Sequence, residues 1–322
     1  MWRGAAAALL LLVGAAIGPE RAAGACMGPP YLYLTLHGGQ DKGDINNIQI
    51  WSRDGCYLGE ALHGRTELNE LRGMVLYGDS LLTANANKDS SMIIQYGGAC
   101  SKESLREMRV VIPTDTPGVD HPYGLAIDRA YLYITNQGTN SVLRFQLTTG
   151  EPAPVAPAVY AEDGCDPEDS WCYPGSFHQF DPRSDGVRGI AIDAGRGRVY
   201  VANKDEGVLV LDNDGYHVGM INVDKPIGVA YCAARDSLIV GSKGDDTVLE
   251  YDVRTHEVRG EFSHKLLSHP AGLTCYGASA FVVSQDEGMI LEIDLDSGDT
   301  TVVVEGLEDV GEQLLLSHGT EC

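Results

Sequence analysis

An all-β fold built from repeated sheets is what the sequence predicts, and three observations predict it. One pattern recurs from Gly73 to Asp309: a glycine in an apolar strand, a short turn, a second strand ending in Asn or Ser, a charged turn and a third strand. It reads GLAIDRAYLYITNQGTNSVLRFQL from Gly124, GIAIDAGRGRVYVANKDEGVLVLDNDG from Gly189, GVAYCAARDSLIVGSKGDDTVLEYDV from Gly228 and GLTCYGASAFVVSQDEGMILEIDLDSG from Gly272. The second observation is spacing: Asn85, Asn136, Asn203, Ser242 and Ser284 each fall 12 to 14 residues after their glycine. The third is turn chemistry. Arg53-Asp54-Gly55, Thr148-Thr149-Gly150, Asp212-Asn213-Asp214-Gly215 and Asp296-Ser297-Gly298 supply the positive φ that hairpins require. Sheets repeated at this period cannot bury their faces alone, and packing them radially gives a six-bladed β-propeller.

The elements follow in order. Arg3, the apolar run Ala5 to Gly18 and the small residues Ala22 to Ala25 read as a signal peptide over 1–25, cleaved before Cys26. The run is too short to span a bilayer, which takes about 20 residues. Residues 26–322 then form a single propeller domain. YLYLTL from Tyr31 matches YLYIT from Tyr131, so it is a second strand with no first strand ahead of it. Gly73, Gly124, Gly189, Gly228 and Gly272 open five units, and a degenerate sixth opens near Gly311. EQLLLS from Glu312 is a first strand without its unit, so the C-terminal strand is expected to complete the N-terminal blade and remove the open edges. The strand assignments rest on alternation of β-branched and aromatic residues, as in Leu132 and Ile134 against Tyr133 and Thr135.

The formal charge of −23 argues against nucleic acid and anionic membrane surfaces, both of which need basic patches. The eight cysteines suit disulfides in an oxidising compartment and a secreted, extracellular location, with no stable membrane insertion. Cys26 and Cys322 flank the two ends that should meet, which predicts a bridge across the seam. Cys165 and Cys172 are expected to pair locally. Cys232 and Cys275 sit in the first strands of neighbouring blades, where they form either a bridge or two buried thiols, and Cys56 and Cys100 are left to each other.

In such a ring the loops leading into the first strands crowd one mouth of the central channel. The residues three before each glycine are Glu70, His121, Gly186, Lys225, His269 and Glu308, with Arg72 and Arg188 beside them. His121 and His269 stand in His-Pro-x-Gly settings on opposed blades. With Glu70 and Glu308 they could hold a divalent metal, Zn or Ca; the alternative is a solvated turn. Asp212-Asn213-Asp214-Gly215 resembles the start of a calcium loop but has Val223 where the ligating glutamate belongs. An insertion at about 151–186 carries Trp171 and Tyr173 among acids and is expected to emerge at the mouth, as a lid or recognition loop or as surface decoration.

No G-x-S-x-G, Walker or HExxH motif is present. The strings from Gly124 and Gly189 resemble the NHL and YVTN type of propeller repeat. That resemblance, extending over about Tyr31 to Ser317, implies a six-bladed ring with a ligand mouth. Its members include extracellular binding domains, streptogramin-type lyases, gluconolactonase-like metal hydrolases and the peptide-amidating lyase. Their catalytic sets find no clear match here. The expectation is therefore a secreted module that binds a protein, peptide or glycan through Glu70, Arg72, His121, Arg188, Lys225, His269, Glu308, Trp171 and Tyr173. The alternative is a metal-dependent lyase or lactone hydrolase in the channel.

Overall fold

The structure, a computed structural model, describes residues 26, 28–37, 47–62, 68, 70–87, 90–99, 106–153, 173–181, 184–307 and 310–317. These form six antiparallel four-stranded sheets arranged as the blades of a β-propeller. Blade 1 holds β1 (Tyr31–His37), β2 (Ile48–Ser52) and β3 (Tyr57–Leu62), and blade 2 holds β4 (Leu71–Tyr77), β5 (Ser80–Asn85), β6 (Met92–Gly97) and β7 (Arg106–Ile112). Blade 3 holds β8 (Pro122–Asp128), β9 (Tyr131–Asn136), β10 (Ser141–Gln146) and β11 (Ser176–Gln179). Blade 4 holds β12 (Val187–Asp193), β13 (Arg198–Asn203), β14 (Gly207–Asp212) and β15 (His217–Ile221). Blade 5 holds β16 (Pro226–Cys232), β17 (Ser237–Ser242), β18 (Thr247–Asp252) and β19 (Val258–Ser263). Blade 6 holds β20 (Pro270–Tyr276), β21 (Ser279–Ser284), β22 (Met289–Asp294) and β23 (Thr300–Val304). The last strand, β24 (Val310–Leu316), pairs antiparallel with β1 and supplies the missing inner strand of blade 1, as the sequence predicts.

Each sheet packs on both neighbours, so the core is six apolar layers between blades. In β1 the strict two-residue alternation does this directly. Tyr31 and Tyr33 pack toward blade 2, while Leu32, Leu34 and Leu36 pack toward blade 6. Leu32 and Leu34 are fully buried, and each contributes about 2 kcal/mol of hydrophobic stabilisation.

The repeated glycine is the third residue of each inner strand, and its cause is the ring itself. A Cβ built on Gly228 would lie 2.0 Å from the Ala271 carbonyl oxygen, on Gly73 2.4 Å from that of Tyr123, and on Gly272 2.5 Å from that of Glu312. At these three junctions the inner strands approach backbone to backbone, which leaves no room for a Cβ. These contacts also fix the sixth repeat. Gly272 meets the Glu312 carbonyl and the Leu314 amide just as Gly73 meets those of Tyr123 and Leu125, so Gln313, not Gly311, stands at the glycine position. Hydrogen bonds agree: Thr35 Oγ1 accepts from Gln313 N and donates to the Arg72 carbonyl, as Thr135 Oγ1 accepts from Gly124 N and donates to that of Arg188.

The Asn and Ser that end the second strands are fully buried and serve the turns. Asn85 donates to the Ser90 carbonyl, Asn203 accepts from Asp205 N, and Ser242 accepts from Asp245 N. Asp212 likewise folds the β14–β15 hairpin by accepting from Asp214 N and Tyr216 N, which uses the calcium-like segment as an Asx turn.

Two expectations are corrected. Cys26 is bonded to Cys56, with Cα atoms 5.8 Å apart, instead of to Cys322. Tyr31 begins β1 beside both Ser317 and Ser52, so the β2–β3 turn carrying Cys56 reaches the same end of the blade as the seam. The Cys56–Cys100 pairing falls with it. Cys232–Cys275 does bridge blades 5 and 6, and Cys100, Cys165, Cys172 and Cys322 lie outside the described residues. The insertion is not wholly outside the repeat: Ser141 pairs with Gln179, so 176–179 is the fourth strand of blade 3, and 184–186 then run on into β12. Residues 154–172 of it lie outside the described residues. Phe177 and Phe180 anchor its return by entering the core between blades 3 and 4.

Candidate functional site

Equivalent residues of successive blades face the channel in three tiers. The floor comes from the residue before each glycine position: Arg72, Tyr123, Arg188, Ile227, Ala271 and Glu312. Tyr123, Ile227 and Ala271 pack into a small apolar cluster there. The other three are polar and join to it. Arg72 Nη1 is 2.7 Å from Glu312 Oε1, the Tyr123 hydroxyl donates to Glu312 Oε2 at 3.3 Å, and the Arg72 and Arg188 guanidiniums sit over the Tyr123 ring at 5.3 and 5.6 Å. Burial, with the Glu312 carboxylate next in effect, raises the Tyr123 pKa well above the usual phenol range, so it stays a donor.

The second tier is the residue just past each second strand, including Gln137, Lys204, Lys243 and Gln285. The third holds Glu70, His121, Gly186, Lys225 and His269 of the set predicted from sequence. A single backbone hydrogen bond ties them together: Gln137 N donates to the His121 carbonyl, Lys204 N to Gly186, Lys243 N to Lys225, Gln285 N to His269 and Ala86 N to Glu70. To present those carbonyls, Glu70, His121, Lys225 and His269 all adopt left-handed φ between 46° and 59°.

His121 and Glu70 belong to one polar cluster, with His121 Nδ1 3.5 Å from Glu70 Oε2. The Gln137 amide, oriented to satisfy both neighbours, donates to His121 Nε2 at 3.0 Å and accepts from Arg188 Nη1 at 2.6 Å. His37 Nε2 accepts from Arg72 Nη2 at 3.1 Å, and burial, followed by the Arg72 charge, lowers its pKa. His269 lies apart, 3.4 Å from Asp286, with its pKa lowered by burial and then by Lys243. Each predicted metal histidine thus has a carboxylate of its own, and no group of three or more His, Cys, Asp or Glu able to hold a metal occurs among the described residues.

Together the tiers enclose a cavity of about 490 Å³. Arg72, Arg188, Lys225 and His269, all predicted, line it, and so do Tyr123, Gln137, Lys204, Asp205, Ile227, Lys243, Gln285 and Glu312. Five of these twelve are Arg or Lys and two are carboxylates, a reversal of the sign of the whole chain. Tyr173 is elsewhere, its ring against Gly118 and the core between blades 2 and 3. Trp171 and Glu308 lie outside the described residues. Glu312, missed in the sequence, takes the floor position of the sixth repeat. The signal for it, and for Tyr123, was the position of Arg72 and Arg188 carried through every blade.

No family model matches the chain, and no curated protein matches it in sequence. Among solved structures it is similar to a chain of the crystal structure of a nidogen/laminin complex. The TM-score is 0.67 at 13% identity, over 89% of this chain and 98% of that one. That likeness is one of fold: a six-bladed β-propeller.

Proposed function

We propose that this chain is an exported, NHL/YVTN-type binding module that receives a protein, peptide or glycan in its channel mouth. The observation that carries the reading is the cavity of about 490 Å³ on the ring axis. It lies within the size range of ordinary ligand sites and is walled by residues from several blades, whose upper tiers are tied within each blade by the repeated backbone bond. Its floor offers both an apolar patch and fixed polar groups, the mixture that orients a ligand. The disulfides Cys26–Cys56 and Cys232–Cys275 suit export through an oxidising compartment, consistent with a signal peptide over 1–25. The structural neighbour comes from a complex between two proteins, which agrees with a recognition role.

The test is a screen of the immobilised protein against peptide and glycan arrays, repeated with Gln285→Trp, which sets an indole at the cavity wall. Ligands of the mouth are lost or weakened by the indole. If every ligand found binds the variant unchanged, the mouth is not the binding site.

A further inference from the structure

Resting on the channel-mouth reading above, we propose that the group received there is a sulfate ester on a glycan. Arg188, Lys225 and Lys243 line the cavity, yet among the described residues no carboxylate oxygen comes within 4.0 Å of any of them. The other cations are neutralised, Arg72 by Glu312 and Lys204 by Asp185. Arg188 is half-buried and spends its donors on the Asp185 and Val187 carbonyls and on Gln137. A guanidinium partly withdrawn from water with no carboxylate in contact costs energy that a bound anion would return. The cavity therefore gathers three cations with no carboxylate in contact, two of them exposed lysines, while Asp185 and Asp205 act on Arg188 only from farther off.

The chemistry of the walls narrows the anion. Lys225 and Lys243 come from blade 5 and Arg188 from blade 4, so the cations approach from different directions. Ammonium groups act as point charges and suit oxygens spread over a tetrahedron, whereas a planar carboxylate is best met by one bidentate arginine. Asp205, exposed at the wall, and Gln285 supply acceptors and donors for hydroxyls. Tyr123, Ile227 and Ala271 supply an apolar surface for the C–H face of a sugar ring. A sulfated pyranose carries all three features, a charged ester, hydroxyls and an apolar face. The disulfides favour an oxidising, exported setting, which selects a sulfated sugar over a phosphorylated peptide. The acidic remainder of the chain disfavours anions elsewhere on the surface, so the cationic cavity is where a sulfated sugar would be met.

The experiment is calorimetric titration of the intact protein with a heparin-derived hexasaccharide, its chemically desulfated counterpart and a phosphoserine peptide of matched charge. The expected result is binding of the sulfated sugar that weakens with salt, and weaker binding of both comparators. Lys225→Met with Lys243→Met should weaken it at least about tenfold, the loss of one charge-assisted contact, at unchanged melting temperature. Arg129→Met, which removes an exposed charge on the β8–β9 turn, should leave it unaltered. Equal binding of both saccharides, no binding of the sulfated one, preference for the phosphopeptide, or an unaffected double variant each overturns the proposal. A ligand that Gln285→Trp loses but the lysine variant keeps would retain the mouth as a site while removing sulfate from it.

Discussion

Arg72 on β4 and Glu312 on β24 meet at 2.7 Å, with side chains only 15% and 7% exposed, and so fasten the closing strand of blade 1 to blade 2. Glu312→Gln should cost about 3 kcal/mol, because the Arg72 charge is left in a shielded place without its partner. Arg72→Met combined with Glu312→Met should cost less than the two single changes summed. Denaturant melts of the four proteins check this; strict additivity would show that the pair carries no coupling.

Gly228→Ala places a methyl 2.0 Å from the Ala271 carbonyl oxygen, which belongs to backbone and cannot rotate away. The expected loss is about 3 kcal/mol, at the upper end of overpacking costs. Gly28→Ala, whose Cβ meets nothing within 4 Å, should be nearly neutral. Thermal melts of both variants decide it, and equal melting temperatures would contradict the close approach of blades 5 and 6.

Removing the Cys232–Cys275 bridge by Ser substitution at both positions should destabilise by about 4 kcal/mol in the chain-entropy account, given a separation of 43 residues. The Cys26–Cys56 bridge spans 30 residues and should yield slightly less. Peptide mapping without reduction reads the pairings directly; a Cys26–Cys322 peptide would reverse the assignment at the seam.

Stability should fall as the solution is acidified. Asp252 is held at about 2, first by the Arg254 amide and then by the Arg259 guanidinium and Thr255 amide. Its folded value lies below the unfolded one, so its contribution is complete above about pH 4 and drains away toward pH 2. Asp185, lowered chiefly by Lys204, and Asp236, lowered chiefly by Arg196, act in the same direction. His37 and His269, lowered mainly by burial, contribute above their ordinary 6.5 and lose that contribution below it. Melting temperature should therefore drop from pH 7 to pH 3. Asp252→Asn should flatten the lower part of the curve and His269→Gln the part between pH 7 and 5; curves parallel to the parent would count against both.

What the sequence disclosed were features the ring imposes on single residues. Gly228 and its equivalents stand where a Cβ would strike the next blade, and Asn85 or Ser242 where a buried turn needs a side-chain partner, so each recurs and can be read. The left-handed positions Glu70, His121, Lys225 and His269 were found by the same count. Features that depend on register were hidden. Gly311 drew the sixth repeat two residues out of place, which hid Glu312 behind Glu308. Lys204 and Lys243 reach the mouth through a backbone hydrogen bond that leaves no mark on side-chain identity. The SFHQ strand is too short to carry a pattern, so the fourth strand of blade 3 was hidden inside the insertion.

The pairing of β1 with β24 also sets how the ring yields to force. Leu32 lies opposite Leu316, so the chain before Tyr31 and the chain after Leu316 leave the sheet at the same end. Tension applied through those two segments opens the ladder one hydrogen bond at a time, from the Tyr31–Ser317 bond inward, instead of shearing all of them together. A ring closed by residues 286 positions apart thus has its seam where a pull on both ends begins to peel it. Attachment through a blade's outer strand would spare that zip, whereas attachment through both ends would load it.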